Sequence, residues 1–174
     1  MGGTYTLSRT YDNHNGNRGG TPTNWYNLDD EYTYAGSDQR HRVVVNAVST
    51  LPYGIQASAI YFIGSPRTIN VGTNLDPFGL GYTGRWLDAT GKTLPRDSER
   101  TATDKKIDIR VSKSVKVPGN VTLQGVLDVF NLFNTKNLTG YTTNYFSRTY
   151  LQPSSSTNLF YQPRQVQLGF RITY

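Results

Sequence analysis

Cysteine is absent from this chain of 174 residues. That absence excludes disulfide bonds, thiolate nucleophiles and every metal or cluster site that needs a cysteine ligand. No run of about 18 apolar residues is present, so the sequence predicts no membrane-spanning helix. The first residues, MGGTYTLSRTYDN, lack the basic end and the apolar run of a secretory signal. We therefore expect either a cytosolic protein or a fragment of a longer one.

Helical periodicity is absent as well, because no window of a dozen residues places apolar side chains at i, i+3, i+4 and i+7. Tyrosine and glycine are plentiful, at 13 and 17 residues, which favours strands and polar loops. The formal net charge of +6 raises nucleic acid, acidic lipid and anionic solutes as partners. The basic residues form no dense stripe and are mixed with aspartate, so we expect no nucleic-acid binding.

Alternation of apolar and polar residues is strong instead. In residues 107–117 the odd positions are apolar except for Lys113, and the even positions are polar throughout. Residues 166–174 alternate in the same way up to Tyr174. The sequence thus predicts an all-β fold with six strands, at residues 5–11, 42–51, 55–63, 107–117, 121–129 and 166–174.

The connections between these strands alternate in length. Residues 52–54 and 118–120 form tight turns. The other three connections are long and polar, at about 12–39, 65–104 and 134–162. All long connections would then emerge at one end of an antiparallel sheet, which is typical of an up-and-down transmembrane β-barrel. A soluble sandwich is the alternative, although its connections usually mix lengths at both ends.

Three segments resemble parts of TonB-dependent outer-membrane receptors, and the first of them resembles a barrel hairpin of the Oar-like subgroup, which carries a carboxypeptidase-regulatory-like domain. They are HRVVVNAVSTLPYGIQASAIYF, VLDVFNLFNTKN and QVQLGFRITY, in that order along the chain. The last is similar to the closing strand of outer-membrane barrels. By that resemblance, the barrel-assembly machinery would read its alternating apolar residues and its terminal aromatic residue, namely Val166, Leu168, Phe170, Ile172 and Tyr174.

The resemblance implies that residues 1–174 are the carboxyl-terminal part of a 22-stranded barrel, in the outer membrane and in contact with its lipid. The parent receptor would import a siderophore, cobalamin, a glycan or a peptide. The missing strands and the plug domain would be partners, and the TonB complex would act only through that plug. We expect no cofactor. The alternative is a soluble β-sheet binding module, either lectin-like or oligonucleotide-binding.

In the barrel interpretation, the polar faces of the strands line the lumen. The predicted lumenal charges, which would hold a plug domain or attract anionic solutes, are Asp108, Arg110, Lys116, Asp128 and Arg171. Lys113 would point toward lipid, so either it snorkels to an interface or the register slips there. Aromatic residues near the two membrane interfaces would be Tyr53 and Tyr174 on the periplasmic side and Tyr61, Phe62 and Tyr141 on the outer side.

The long connections would contact the solute, because recognition usually lies in loops on a rigid scaffold. The aromatic residues available there for stacking, unless they simply pack the loops, are Tyr82, Trp86, Tyr141, Tyr145 and Tyr150. An enzyme is not expected, because His14 and His41 have no nucleophile nearby in a fixed geometry. The acidic residues at 29–31 are either a solvated loop or a site for a hard cation.

Overall fold

The computed structural model describes residues 1–13, 22, 26–73, 75–76, 79, 81, 84–85, 90, 93–154 and 161–174. The fold is all-β, as the alternation of residues predicts, and the described residues contain no α-helix. None of the described segments is a helix of the length and apolarity needed to cross a membrane. His14, Tyr82 and Trp86, which the sequence singled out, lie outside the described residues.

Six strands form one antiparallel sheet with the order β1-β4-β5-β8-β9-β10. Two small sheets, β2 with β3 and β6 with β7, lie in the long connections. The strands are β1 (Gly2–Leu7), β2 (Tyr11–Asp12), β3 (Thr33–Tyr34), β4 (His41–Leu51), β5 (Ile55–Gly64), β6 (Thr68–Ile69), β7 (Glu99–Arg100), β8 (Asp104–Val117), β9 (Val121–Phe130) and β10 (Gln165–Thr173). Short 3-10 segments occur at Asp29–Glu31 and Pro52–Gly54.

The two tight turns lie at one end of the sheet and the three long connections at the other, as the loop lengths predicted. Gly54 has a φ of +71°, and a Cβ there would lie 2.5 Å from the carbonyl oxygen of Ser114. Gly119 and Asn120 also have positive φ, at 89° and 59°. Glycine and asparagine tolerate this left-handed region best, so the second turn fits its backbone, whereas in the first turn Tyr53 also adopts a positive φ, of 63°.

The register of the six strands places their mainly polar positions on one face of the sheet and their mainly apolar positions on the other. Arg110 lies opposite Asp128 on β9 and opposite Ser58 on β5, so these residues share one face of the sheet. On the other face, Ile109 lies between Ala59 and Val129. We call the face of Arg110 the polar face and that of Ile109 the apolar face. The polar face also carries some apolar side chains, namely Val44, Val48, Ile60, Phe62, Val126 and Phe130.

The sheet is open. Among the described residues, β1 pairs only with β4 and β10 only with β9, so each leaves one backbone edge without a partner strand. Every residue of β10 is exposed. Unpaired strand edges recruit further strands, and a barrel removes them by closing. The open sheet is therefore consistent with an incomplete barrel segment.

The buried residues are concentrated at the loop end of the sheet rather than beneath it. The buried apolar side chains among the described residues are Ala35, Phe62, Ile69 and Val71. Most of these belong to the long connections. The predicted loops therefore fold into an ordered layer, which we call the loop cluster and define as residues 8–40, 65–103 and 131–164 where described.

Two predictions need correction. The first strand is Gly2–Leu7 rather than residues 5–11, because Ser8 leaves the sheet and its hydroxyl donates a hydrogen bond to the Gln39 carbonyl. Phe62 does not join Tyr61 in an aromatic row on the apolar face. Phe62 lies on the polar face and is 6% exposed, with its ring against Tyr161 and beneath the Arg42 guanidinium.

Candidate functional site: the polar face and the loop cluster

The polar face is organised by paired charges. Arg110 donates two hydrogen bonds to the Asp128 carboxylate, from Nε at 2.5 Å and from an Nη at 2.9 Å. The pair joins β8 to β9 at directly opposite positions. Such two-point contacts are the strongest and most directional that arginine makes. The charges here therefore hold the sheet together as well as lining its face.

The five residues predicted to line a lumen all lie on the polar face. Asp108 accepts a hydrogen bond from Lys106 Nζ at 2.7 Å and another from the Asn131 backbone N–H at 2.8 Å. Lys116 and Arg171 have no ion pair among the described residues, and both lie toward the tight-turn end. The charges on the polar face are thus mostly paired near the loops, whereas those near the turns are positive and have no ion pair among the described residues.

Lys113 lies on the apolar face, opposite Ile55 and Gly125, so the register does not slip at this position. Ile55 is the first residue after a tight turn. Lys113 therefore lies close to the turn end of the sheet, and its side chain can extend toward that end. Its long stem can run along apolar surface while the ammonium stays in water.

The asparagines of the NLFNTKN segment connect three strands at the loop end. Asn131 is 2% exposed, donates to the carbonyls of Thr135 and Gln162 and accepts from the Thr135 N–H. Asn134 accepts from the Arg164 N–H, just before β10. Both asparagines have positive φ, at 51° and 52°. This segment therefore ends β9 and positions the entry to β10.

Asn137 completes the connection. Its side-chain amide accepts the Lys105 N–H at 2.7 Å and donates to the Lys105 carbonyl at 3.0 Å. These are the two bonds that a residue of a neighbouring strand would make. β8 begins at Asp104, three residues before its predicted start. In this extension β9 has already ended, and the Asn137 amide bonds the Lys105 backbone in its place.

A buried ion network links the first two long connections. The Arg96 side chain is 2% exposed and contacts Asp12, Asp97 and the Glu31 carbonyl. Arg85 donates to Glu31 at 2.7 Å, with both side chains buried. Charges that are nearly balanced in the sequence thus neutralise one another inside the cluster. Sequence reasoning missed this network, because residues 84 positions apart leave no periodic signal.

Burial raises the pKa of the Asp97 carboxyl above its ordinary value. The neighbouring Arg96 opposes this shift and Asp12 adds to it. The raised pKa means that the folded chain holds a proton on Asp97 more tightly than the unfolded chain does. Protonation of Asp97 should therefore stabilise the loop cluster as the pH falls.

The predicted solute-contacting tyrosines differ in their surroundings. Tyr145 and Tyr150 lie with ring centroids 5.1 Å apart and pack against each other. Burial, with Glu99 nearby, raises the pKa of the Tyr150 hydroxyl. The Tyr141 hydroxyl instead accepts a hydrogen bond from the Ala102 N–H at 3.3 Å. The predicted tyrosines therefore make different contacts in the loop cluster.

The three long connections enclose a cleft of about 360 Å³ at the loop end. Gly36 comes from the first connection, Arg67 and Thr101 from the second, and Tyr141 from the third. Asp104, the first residue of β8 and part of the polar face, also lines it. The cleft is therefore continuous with the polar face of the sheet.

The predicted assembly residues on β10 are openly exposed. Leu168 is 79% exposed and Phe170 is 87% exposed. Val166 and Ile172 share their face, and Tyr174 follows the strand. This row continues the apolar face to the edge of the sheet, where it is available for contact with lipid or protein.

The acidic residues at 29–31 differ in their environment. Glu31 is 4% exposed and pairs with Arg85, whereas Asp29 is exposed. The side chain of Asp30 lies outside what the structure describes. Within the described residues, no group of three histidine or acidic side chains is placed to hold a metal ion.

His41 accepts or donates a single side-chain hydrogen bond, with the Tyr5 hydroxyl at 2.8 Å.

Searches with this chain find no matching family model, no matching curated protein and no matching solved structure.

Proposed function

We propose that this chain is part of the barrel of a TonB-dependent outer-membrane transporter, which takes up a large or scarce solute. The observation that carries the proposal is the aligned register of six strands, which makes one face largely apolar while all long connections gather at one end. A barrel needs this arrangement because lipid surrounds it and recognition occurs on one side of the membrane.

The dimensions of the apolar face support this proposal. On β8, the odd positions from Ile107 to Val117 lie on the apolar face and are apolar except for Lys113. The first and last of these positions are ten residues apart, or about 34 Å along a strand. At a strand tilt of about 40° this spans about 26 Å of depth, close to the apolar band of about 25 Å in outer-membrane barrels.

The exposure of the apolar face also supports it. Among the described residues, Leu51, Val115 and Leu123 on this face are each more than 40% exposed. A soluble sandwich would cover these residues with a second sheet. Leaving a wide apolar face in water is unfavourable, whereas contact with hydrocarbon removes that cost.

The proposal assigns a role to each region. The apolar face contacts lipid, and the positive turn end of the polar face attracts an acidic plug surface or an anionic solute. The loop cluster faces outward and recognises the solute. The free edges of β1 and β10 pair with strands of the parent barrel, and the TonB complex acts through the plug. The apolar row on β10 engages the barrel-assembly machinery.

An epitope-insertion experiment tests the topology. The complete coding region is expressed in a Gram-negative host with a short epitope after Ser154, in the third long connection, or after Gly119, in a tight turn. We expect antibody to label intact cells only for the first insertion, with both labelled after the outer membrane is permeabilised. Recovery of the protein in the soluble fraction would contradict the proposal and favour the soluble binding module.

A further inference from the structure

The cleft at the loop end is built on fixed backbone. Arg67 forms a bridge with Gln39 of the first connection, and its carbonyl accepts the Thr101 N–H at 2.8 Å. Tyr141 forms an antiparallel bridge with Pro153, flanked by hydrogen bonds between Thr142 and residues 151 and 152. Walls held by such pairings lose little conformational freedom when a ligand binds. The cleft is therefore preorganised.

The cleft is polar but close to neutral. Its charged lining residues, Arg67 and Asp104, are an ion pair in which Nε lies 3.0 Å from Oδ2. Asp104 is 4% exposed, and its buried Oδ2 has the Arg67 guanidinium as its one polar neighbour among the described residues. The carboxylate therefore retains capacity to accept hydrogen bonds from a guest. A neutralised guanidinium gives the cleft little attraction for an iron complex or another anion.

The remaining lining combines hydroxyl and apolar groups. The Tyr141 hydroxyl accepts the Ala102 N–H, which leaves its own proton available to donate. Thr68 and Thr139 line the cleft beside Ile69 and Leu138. The volume of about 360 Å³ is near the lower end of the range of small-molecule sites, about 300–1,000 Å³. It suits one small unit of a ligand rather than a whole cobalamin or siderophore complex.

We propose that this cleft binds a neutral sugar unit of a glycan. Sugar hydroxyls would donate to the Asp104 carboxylate and accept from Arg67 and Tyr141. The Tyr141 ring and the neighbouring aliphatic side chains would pack against the C–H face of the sugar ring. Because Asp104 belongs to the polar face, a bound glycan would lie directly above the lumen. This names the solute class for the proposed function and rests on it for the direction of transport.

Saturation-transfer NMR tests the cleft, with the product of the complete coding region in detergent micelles. The probes are the methyl α-pyranosides of glucose, galactose and mannose, with inorganic phosphate as the anionic comparison. Tyr141→Phe removes one hydroxyl and keeps the ring. Tyr145→Phe makes the same change outside the cleft and serves as its matched control. Asp104→Asn keeps the side-chain shape and removes the acceptor charge.

We expect at least one sugar to bind, phosphate not to bind, and Tyr145→Phe to leave the dissociation constant unchanged. Tyr141→Phe and Asp104→Asn should each weaken binding about tenfold, the equivalent of one hydrogen bond. Binding of phosphate alone, binding of no sugar, or equal affinity in all variants would overturn the proposal. These outcomes are independent of the epitope experiment, which uses intact cells and reports topology without any ligand.

Discussion

Replacing Asn137 with alanine should loosen the loop end of β8. The Asn137 side chain is 2% exposed and makes three hydrogen bonds, two with Lys105 and one with the Thr135 carbonyl at 3.3 Å. Each bond contributes about 1 kcal/mol, and a buried N–H left without an acceptor costs about 1–3 kcal/mol. We therefore expect local opening at Lys105 to become easier by about 2–4 kcal/mol.

Hydrogen exchange of the Lys105 amide measures this effect, with the chain in detergent micelles. An opening easier by about 2–4 kcal/mol corresponds to exchange faster by about 30- to 700-fold. Asn144→Ala is the control, because that side chain accepts only one hydrogen bond, from the Phe146 N–H. It should leave Lys105 unchanged. An unchanged Lys105 rate in Asn137→Ala would refute the assignment of this amide as a strand substitute.

Three further predictions concern the turn, the loop cluster and the apolar face. Gly54→Ala should lower stability by at least about 1–2 kcal/mol through its positive φ, whereas Gly125→Ala, with open space around it, should be neutral in denaturant unfolding. Protonation of Asp97 should stabilise the loop cluster, because the pKa of this carboxyl is raised in the folded chain. Amide protection in the loop cluster should therefore increase as the pH falls from neutral toward the ordinary pKa of an aspartate, and Asp97→Asn should flatten this dependence. Leu168→Arg should lower the stability of the folded chain in a bilayer by about 2–4 kcal/mol, whereas Gln167→Arg on the opposite face should leave it almost unchanged.

The sheet was predictable because its signal is local. Residues 107–117 alternate with a period of two, and the short segment Pro52–Gly54 leaves room only for a tight turn. The same reasoning placed Asp108 and Arg110 on one face. It failed for Phe62, where neighbouring apolar residues blur the alternation and contact with Tyr161 in a long connection decides the environment.

The loop cluster was not predictable in the same way. The pair between Asp12 and Arg96 joins the first long connection to the second, and no spacing rule selects one carboxylate for one guanidinium. The buried asparagines at 131 and 137 carry a weak signal, since Asn131 adopts the left-handed backbone that asparagine tolerates and the Asn137 amide replaces a strand partner. Their partners, such as Lys105, become evident only from the fold.

The orientation of the two faces is the central claim, and the absence of cysteine makes it directly measurable. A single cysteine is introduced at each position from 122 to 127 on β9, labelled with a nitroxide and reconstituted in a lipid bilayer. We predict that collisions with oxygen, which concentrates in lipid, are highest at the odd positions, and that collisions with a water-soluble nickel complex are highest at the even ones. Odd positions shielded from both reagents would indicate a dry protein interior and would contradict the account.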